Sequence, residues 1–258
     1  SADGGPTAGT ISAGDSLAAL DEIVFNQKLL TMEQVLHAMN TNYEDMDTVP
    51  SGPEIRAILV NKAPKFGNDD ERADKWVVEL EDYIGSSYRY KYRSSKYGKG
   101  PVPCCYSYSQ SPVTGNIAFG KSIGATPDGR KDGQPVNNGI SPANGSEKNG
   151  ATAACNSVMK LPSIWFQKGA IFNMRLSKGA LDTDENKEKV IAMIKVLFEN
   201  YGQQIQFNVV DNKVFREAME HPDEYKDLMV RVSGYSALFT SLSPECQMDV
   251  ISRAELEL

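Results

Sequence analysis

The sequence predicts an α/β fold, and three observations carry that reading. Apolar residues recur at helical spacing over residues 15–84. Residues 98–162 lose that period and fill with Gly, Pro, Asn and Ser. From residue 186 onward helical and extended stretches alternate, the pattern of layered helix and sheet. With 258 residues, 40% of them hydrophobic, the chain has the length of one large domain or two small ones and enough apolar material for a core.

The first part divides at its own punctuation. Asp15 and Ser16 are the capping candidates of a helix with Leu17, Leu20, Ile23 and Val24 on its stripe. Thr31 caps a second helix, whose stripe is Glu33, Val35, Leu36 and Met39. The run from Thr48 to Pro53 breaks the pattern, and Glu54 to Asn61 resumes it. A further helix runs from Asp69 to Ile84 with Trp76, Leu80 and Tyr83 on one side; Asp69 and Asp70 suit its positive end. The basic, tyrosine-rich stretch Tyr88–Tyr97 has the composition of a single-strand nucleic-acid platform. The net charge of −7 favours reading it as a helix end with solvated cations, with no nucleic-acid partner.

Residues 98–162 are too long for a casual connection and read as loops and short strands with a binding or lid role. Residues 186–200 form a strong helix ending at Gly202, Ile205–Val210 a strand, and 212–220 a short helix before Pro222. A last helix starts at Ser243-Pro244 and runs to the end. No internal repeat is visible.

Familiar catalytic patterns are missing. There is no Gly-x-Ser-x-Gly, no phosphate loop and no Gly-x-Gly-x-x-Gly after a strand. His37 and His221 stand far apart and no Cys-x-x-Cys occurs, which argues against a metal site. Four cysteines (Cys104, Cys105, Cys155, Cys246) make no disulfide framework in a chain this long, so free thiols in a reducing cytoplasm are expected. No apolar run is long enough to span a membrane, and the first residues lack the features of a secretory leader. One segment stands out: Val230-Arg231-Val232-Ser233-Gly234-Tyr235-Ser236, a glycine between extended, apolar flanks. By itself it reads as a bulge or tight turn that only glycine tolerates.

Its surroundings add to that. Arg-Val-Ser-Gly-Tyr-Ser near the end of the chain resembles the radical loop of the glycyl radical enzymes. Further matches follow the family's order: Gly14–Leu20 with Ala63–Asp69, then Gly124–Arg130, Asn138–Gly145 and Lys148–Ala153, then Ile205–Val210. Together they cover nearly the whole chain. An α-carbon radical is stabilised by its electron-donating amide nitrogen and its electron-withdrawing carbonyl, provided the carbon is locally planar. Glycine has no side chain to oppose that geometry.

The resemblance implies that Gly234 stores a radical, framed by Arg231, Val232, Ser233, Tyr235 and Ser236 on a buried loop between Val232 and Leu238. A separate activating enzyme, an iron–sulfur protein that cleaves S-adenosylmethionine, would install it; no bound cofactor and no metal are implied. Radical chemistry normally rests on an added cofactor, whereas here, as the resemblance implies, the chain itself would hold the unpaired electron. The radical would oxidise a cysteine to a thiyl that takes hydrogen from substrate, and oxygen would cut the chain at Gly234, implying anaerobic life.

Family members are about three times longer, and their thiyl cysteine lies in an upstream Gly-Cys-x-Glu loop that none of these four cysteines matches. The chain therefore looks like the C-terminal third of such a lyase, with an N-terminal portion or complementary chain as its partner in a homo- or hetero-oligomer. The alternatives are a stand-alone radical spare part and a non-catalytic structural subunit. Asn137–Gly145 and Phe172–Leu176 lean towards the fumarate-adding synthases of benzylsuccinate or alkylsuccinate. A diol or glycerol dehydratase, a choline-type C–N lyase and an arylacetate decarboxylase are the other options. Gln110 and Val113 are the substrate-pocket candidates.

The implied fold is part of a ten-stranded barrel of two antiparallel half-sheets wrapped by helices, with strands near 104–110, 117–123, 170–176, 205–210 and 229–233. Residues 1–97 would wrap the barrel, 98–211 supply strands and loops, and 212–258 form the radical domain. Isolated, such a portion should expose apolar surface.

Overall fold

A computed structural model describes residues 5–90, 108–253 and 256. Cys104, Cys105, the first part of the 104–110 strand and most of the Tyr88–Tyr97 stretch lie outside them.

Helix α1 spans Thr10–Ala19 and continues as a π-helical stretch, Leu20–Asn26. It starts earlier than its capping candidates: Asp15 and Ser16 lie inside it, and Gly9 occupies the cap position. The Ser16 hydroxyl donates back to the Ser12 carbonyl (2.8 Å), and the Asp15 carboxylate accepts the distant Phe66 N–H (2.7 Å). Side chains that commonly cap a helix are used here within it and across to another segment.

Helices α2 (Met32–Asn40) and α3 (Gly52–Asn61) start at Thr31 and Ser51, each in a capping box with Gln34 and Glu54. Helix α4 (Glu71–Tyr90) buries Ala73, Asp74, Val77 and Glu81 instead of the predicted Trp76, Leu80 and Tyr83; Tyr83 is 63% exposed. Partners from distant segments explain this inversion. Asp74 receives Ser157 Oγ (3.1 Å) and Lys160 Nζ (2.7 Å), while Glu81 receives Thr10 Oγ1 and Tyr108 Oη, both at 2.6 Å. Buried carboxylates are tolerated where donors satisfy them.

The region expected to be loop holds two helices, α5 (Gly115–Lys121) and α6 (Gly150–Met159). The first replaces the strand expected at 117–123. The second buries Ala151, Ala154, Cys155 and Val158, a helical period that the surrounding Gly and Asn obscure in the sequence. Helices α7 (Asp184–Glu199), α8 (Asn212–Glu220) and α9 (Pro244–Ser252) fall close to their predicted places, but α9 stops short of the end of the chain. Beyond it Leu256 pairs in parallel with Leu176.

Strands β1 (Asn173–Arg175) and β2 (Gln206–Asn208) are parallel and joined by α7. Their register sets Asn173 beside Gln206 and Arg175 beside Asn208. Parallel single-residue bridges extend this arrangement, Pro6 with Ser109 and Gln110 with Ala170. Strands β3 (Met229–Arg231) and β4 (Ser236–Leu238) form an antiparallel hairpin.

Three apolar clusters hold these parts. The main one joins Ile11, Phe66, Val77, Tyr108, Phe172 and Leu197. A second, with Ile23, Val35, Ile55 and Leu59, lies among α1, α2 and α3. The third packs Phe215, Val230, Val232, Phe239 and Val250 under the hairpin, with the Phe215 and Phe239 rings 4.7 Å apart. Helix α7 leaves Ile191, Val196 and Phe198 exposed.

The Thr126–Arg130 turn is held by Arg130. Its guanidinium donates to the carbonyls of Gln134 (2.6 Å), Ile123 (3.0 Å), Lys131 (3.2 Å) and Gly124. Asp128 accepts from Thr126 Oγ1 and the Arg130 N–H. Arg130→Ala should lower stability by about 3 kcal/mol in denaturant unfolding, because several backbone carbonyls of the turn lose one buried charged donor at once.

Asp15 is fully buried, and burial pushes its carboxyl up from 3.8 to about 7. A carboxyl whose folded pKa lies above its unfolded one destabilises the folded state once ionised, so its contribution falls as pH rises from about 4 to 7 and stays low above that. Asp15→Asn should remove roughly 4 kcal/mol of pH-dependent loss, read as a flatter stability profile between pH 4 and 8.

Candidate functional site

The β3–β4 hairpin closes through Val232, Ser233, Gly234 and Tyr235, and the Val232 N–H donates to the Tyr235 carbonyl (2.9 Å). Gly234 has φ +77°, the left-handed region, and an added Cβ would stand 3.1 Å from Ile171 Cδ1. Any other residue there is strained by roughly 1–3 kcal/mol, which is the local reason for glycine.

The frame around this turn is polar and largely buried. Ser233 is 1% exposed and its hydroxyl donates to Asn138 Oδ1 (2.8 Å). The Arg231 N–H donates to Asn208 Oδ1 (2.8 Å), and its carbonyl accepts from Asn208 Nδ2 (2.7 Å). Its guanidinium reaches Ser236 Oγ across the hairpin (2.9 Å). Val232 is buried, and its carbonyl accepts from Arg253 Nη2 (2.8 Å), which also pairs with Asp249 (3.1 Å). The Gly234 N–H donates to Gln206 Oε1 (3.1 Å).

Gln206 is oriented by Asn173, whose Oδ1 accepts from the Gln206 amide nitrogen. Asn173 Nδ2 donates to Asn138 Oδ1 (3.2 Å), and Asn138 Nδ2 to the Val113 carbonyl (3.1 Å). Gly139, at φ +59°, lets this segment run close to β1: an added Cβ would lie 2.2 Å from the Ile171 carbonyl oxygen.

Not all of the loop is buried as expected. Val232 and Ser233 are, but Gly234, Tyr235 and Ser236 are exposed. The hairpin tip stands outward from Ile171 and Gln206, and among the described residues no side chain covers it from the other side. Beneath the frame is a cavity of about 10 Å³ lined by Asn138, Ser141, Asn173, Arg175 and Arg253, with room for about one water and none for a substrate.

The two pocket candidates are not brought together. Gln110 is fully buried, its amide nitrogen 2.6–2.7 Å from Glu81 Oε1, Thr10 Oγ1 and Tyr108 Oη. Burial raises the Glu81 carboxyl, and these donors oppose that shift. Gln110 therefore serves a closed polar network, while Val113 is 45% exposed at φ +58°. A separate cavity of about 310 Å³ is lined by Asp15, Arg56, Lys65, Asp128 and Lys148 and by none of the loop residues.

Among the described residues the free thiols are Cys155 and Cys246. Burial pushes the Cys155 thiol up to about 12, so it is a packed core thiol. No cluster of metal-ligating side chains occurs among the described residues, and none of their helices is long and apolar enough to cross a membrane.

Sequence reasoning found the loop but missed its supports: Asn138, Asn173, Gln206, Asn208 and Arg253. A signal was present. Asn173 with Arg175, and Gln206 with Asn208, are polar pairs at spacing two inside otherwise apolar strands, which puts each pair on one face of its strand.

Known proteins match this architecture. A glycine-radical family model matches residues 136–240, and a pyruvate formate lyase-like model matches residues 2–119. The chain is 37% identical over 249 residues to the probable dehydratase YbiW of Escherichia coli, covering 96% of this chain and 30% of that protein. It is 35% identical to trans-4-hydroxy-L-proline dehydratase of Clostridioides difficile, covering 96% and 29%. It superposes on the glycerol-bound, B12-independent glycerol dehydratase of Clostridium butyricum with a TM-score of 0.85 at 37% identity, covering 97% and 30%. The chain thus spans about 30% of the length of the relatives it matches. Its helices and parallel strands form part of the barrel those structures share. The chain belongs to the glycyl radical enzymes, and corresponds to the part of them that bears the glycine loop.

Proposed function

We propose that this chain is the radical-bearing portion of an anaerobic lyase and that Gly234 is the residue that holds the radical. The observation that carries this is the hairpin tip, with an α-carbon at φ +77° that has no side chain and is exposed, inside a frame of buried amides. One Gly234 Cα–H bond breaks homolytically. The hydrogen atom passes to a carbon radical generated from S-adenosylmethionine by a separate iron–sulfur activating enzyme, which supplies the electron for that cleavage. The glycyl radical then accepts the sulfhydryl hydrogen of a cysteine on another portion of the enzyme, and the resulting thiyl takes a hydrogen atom from the substrate. An oxygen-free cytoplasm is the setting this chemistry requires.

Residues 212–258 act as the radical domain with its own core around Phe215 and Phe239, residues 1–97 wrap the barrel, and 98–211 supply its strands. Arg231, Val232, Ser233, Tyr235 and Ser236 frame the radical. The relatives named above are dehydratases, so the substrate class moves from fumarate addition to the dehydratase alternative: loss of water from a small hydroxylated compound.

Two experiments check this. After anaerobic activation, exposure to air should cut the chain at Gly234, seen as two fragments by mass spectrometry. An intact chain under conditions that cut a known glycyl radical enzyme contradicts the assignment. The activated enzyme should also release water from glycerol, 1,2-propanediol or trans-4-hydroxy-L-proline. A succinate adduct from toluene and fumarate, with no dehydration of the hydroxylated compounds, would return the reading to fumarate addition.

A further inference from the structure

The Gly234 N–H has one partner, Gln206 Oε1 at 3.1 Å. Gln206 is 5% exposed and lies on β2, part of the parallel sheet and outside the hairpin it touches. Its side chain has a fixed direction. The amide nitrogen is engaged by Asn173 Oδ1, so the carbonyl oxygen is the end that faces the loop. Asn173 is fixed in turn by Asn138 Oδ1 (3.2 Å), and its backbone N–H by Ser141 Oγ (2.8 Å). The same Asn138 oxygen accepts the hydroxyl of Ser233, next to the glycine (2.8 Å). A chain of three buried amides therefore runs from the floor of the site to the nitrogen of Gly234.

We propose that Gln206 is a positioning residue for the radical, holding the Gly234 amide in plane and polarising its N–H. This rests on the reading of Gly234 as the radical residue. Stabilisation at the α-carbon needs the nitrogen lone pair to overlap the half-filled orbital. An acceptor on the N–H increases the electron density that the nitrogen can share, and a fixed acceptor sets the plane in which it shares it. Because Gly234 is exposed, water could accept the same hydrogen, but without a fixed direction. The buried Gln206 carbonyl supplies that direction from the rigid sheet.

The test compares the intact protein that carries this sequence with its Gln206→Leu and Gln206→Glu variants. In the unmodified protein, a through-hydrogen-bond scalar coupling between the Gly234 amide nitrogen and the Gln206 side-chain carbonyl carbon is expected. Gln206→Leu should speed Gly234 amide exchange about fivefold, the equivalent of one ordinary hydrogen bond. It should also alter the hyperfine splitting of the glycyl doublet and shorten its anaerobic lifetime by a similar factor, and Gln206→Glu, which when protonated keeps both the acceptor for Gly234 and a donor for Asn173 Oδ1, should restore both at low pH. A missing coupling overturns the proposal even if Gln206→Leu fails to fold. So does a folded Gln206→Leu protein with unchanged exchange, splitting and lifetime. Should the unmodified protein give no glycyl doublet after activation, the reading of Gly234 itself fails, which the coupling measurement distinguishes from failure of the hydrogen bond.

Discussion

The site depends on one backbone constraint, a tight turn that puts residue 234 at φ +77° against the Ile171 side chain. Only glycine adopts this without strain, and only glycine offers an α-carbon free to become planar. The demands of the fold and of the proposed chemistry thus fall on the same residue. The turn is short, so its geometry is set by what holds its two ends. Those holds come from β2, the residue just past α9 and the segment around Asn138, through Asn208, Arg253 and Asn138.

The supporting residues are mostly neutral amides. Asn138, Asn173, Gln206 and Asn208 each carry both donors and acceptors, so they can pass a direction from one to the next without burying a charge. Arg253, paired with Asp249, adds an ionic contact, its guanidinium clamping the Val232 carbonyl. The amides of this floor hydrogen-bond to one another, and the cavity beneath it is only about 10 Å³. It keeps the turn rigid while the tip itself stays exposed.

Much of this was legible in the sequence for a physical reason. The Arg231–Ser236 motif, the Thr31 cap, α7, α8 and β2 announce themselves through local signals: punctuation, capping chemistry and period. The misreadings share the opposite cause. Asp15, Asp74 and Glu81 are buried against hydrogen-bond donors far along the chain, and no local pattern encodes such partners. The sequence around Gln110 reads as a strand lining a pocket, and nothing local shows that its amide nitrogen meets Glu81. Helix α6 hid among glycines and asparagines although its buried positions follow a helical period. The amides that hold Gly234 were visible only as polar residues at strand spacing, and their convergence on one nitrogen is a tertiary fact.

The central claim is that the unpaired electron resides on Gly234. It is tested most directly by electron paramagnetic resonance of the anaerobically activated protein, grown with and without glycine labelled with ¹³C at the α-carbon. A doublet from the single remaining α-hydrogen, broadened by the label and absent from a Gly234→Ala variant, is the predicted result. A signal that ignores the glycine label, or that persists in Gly234→Ala, would contradict it.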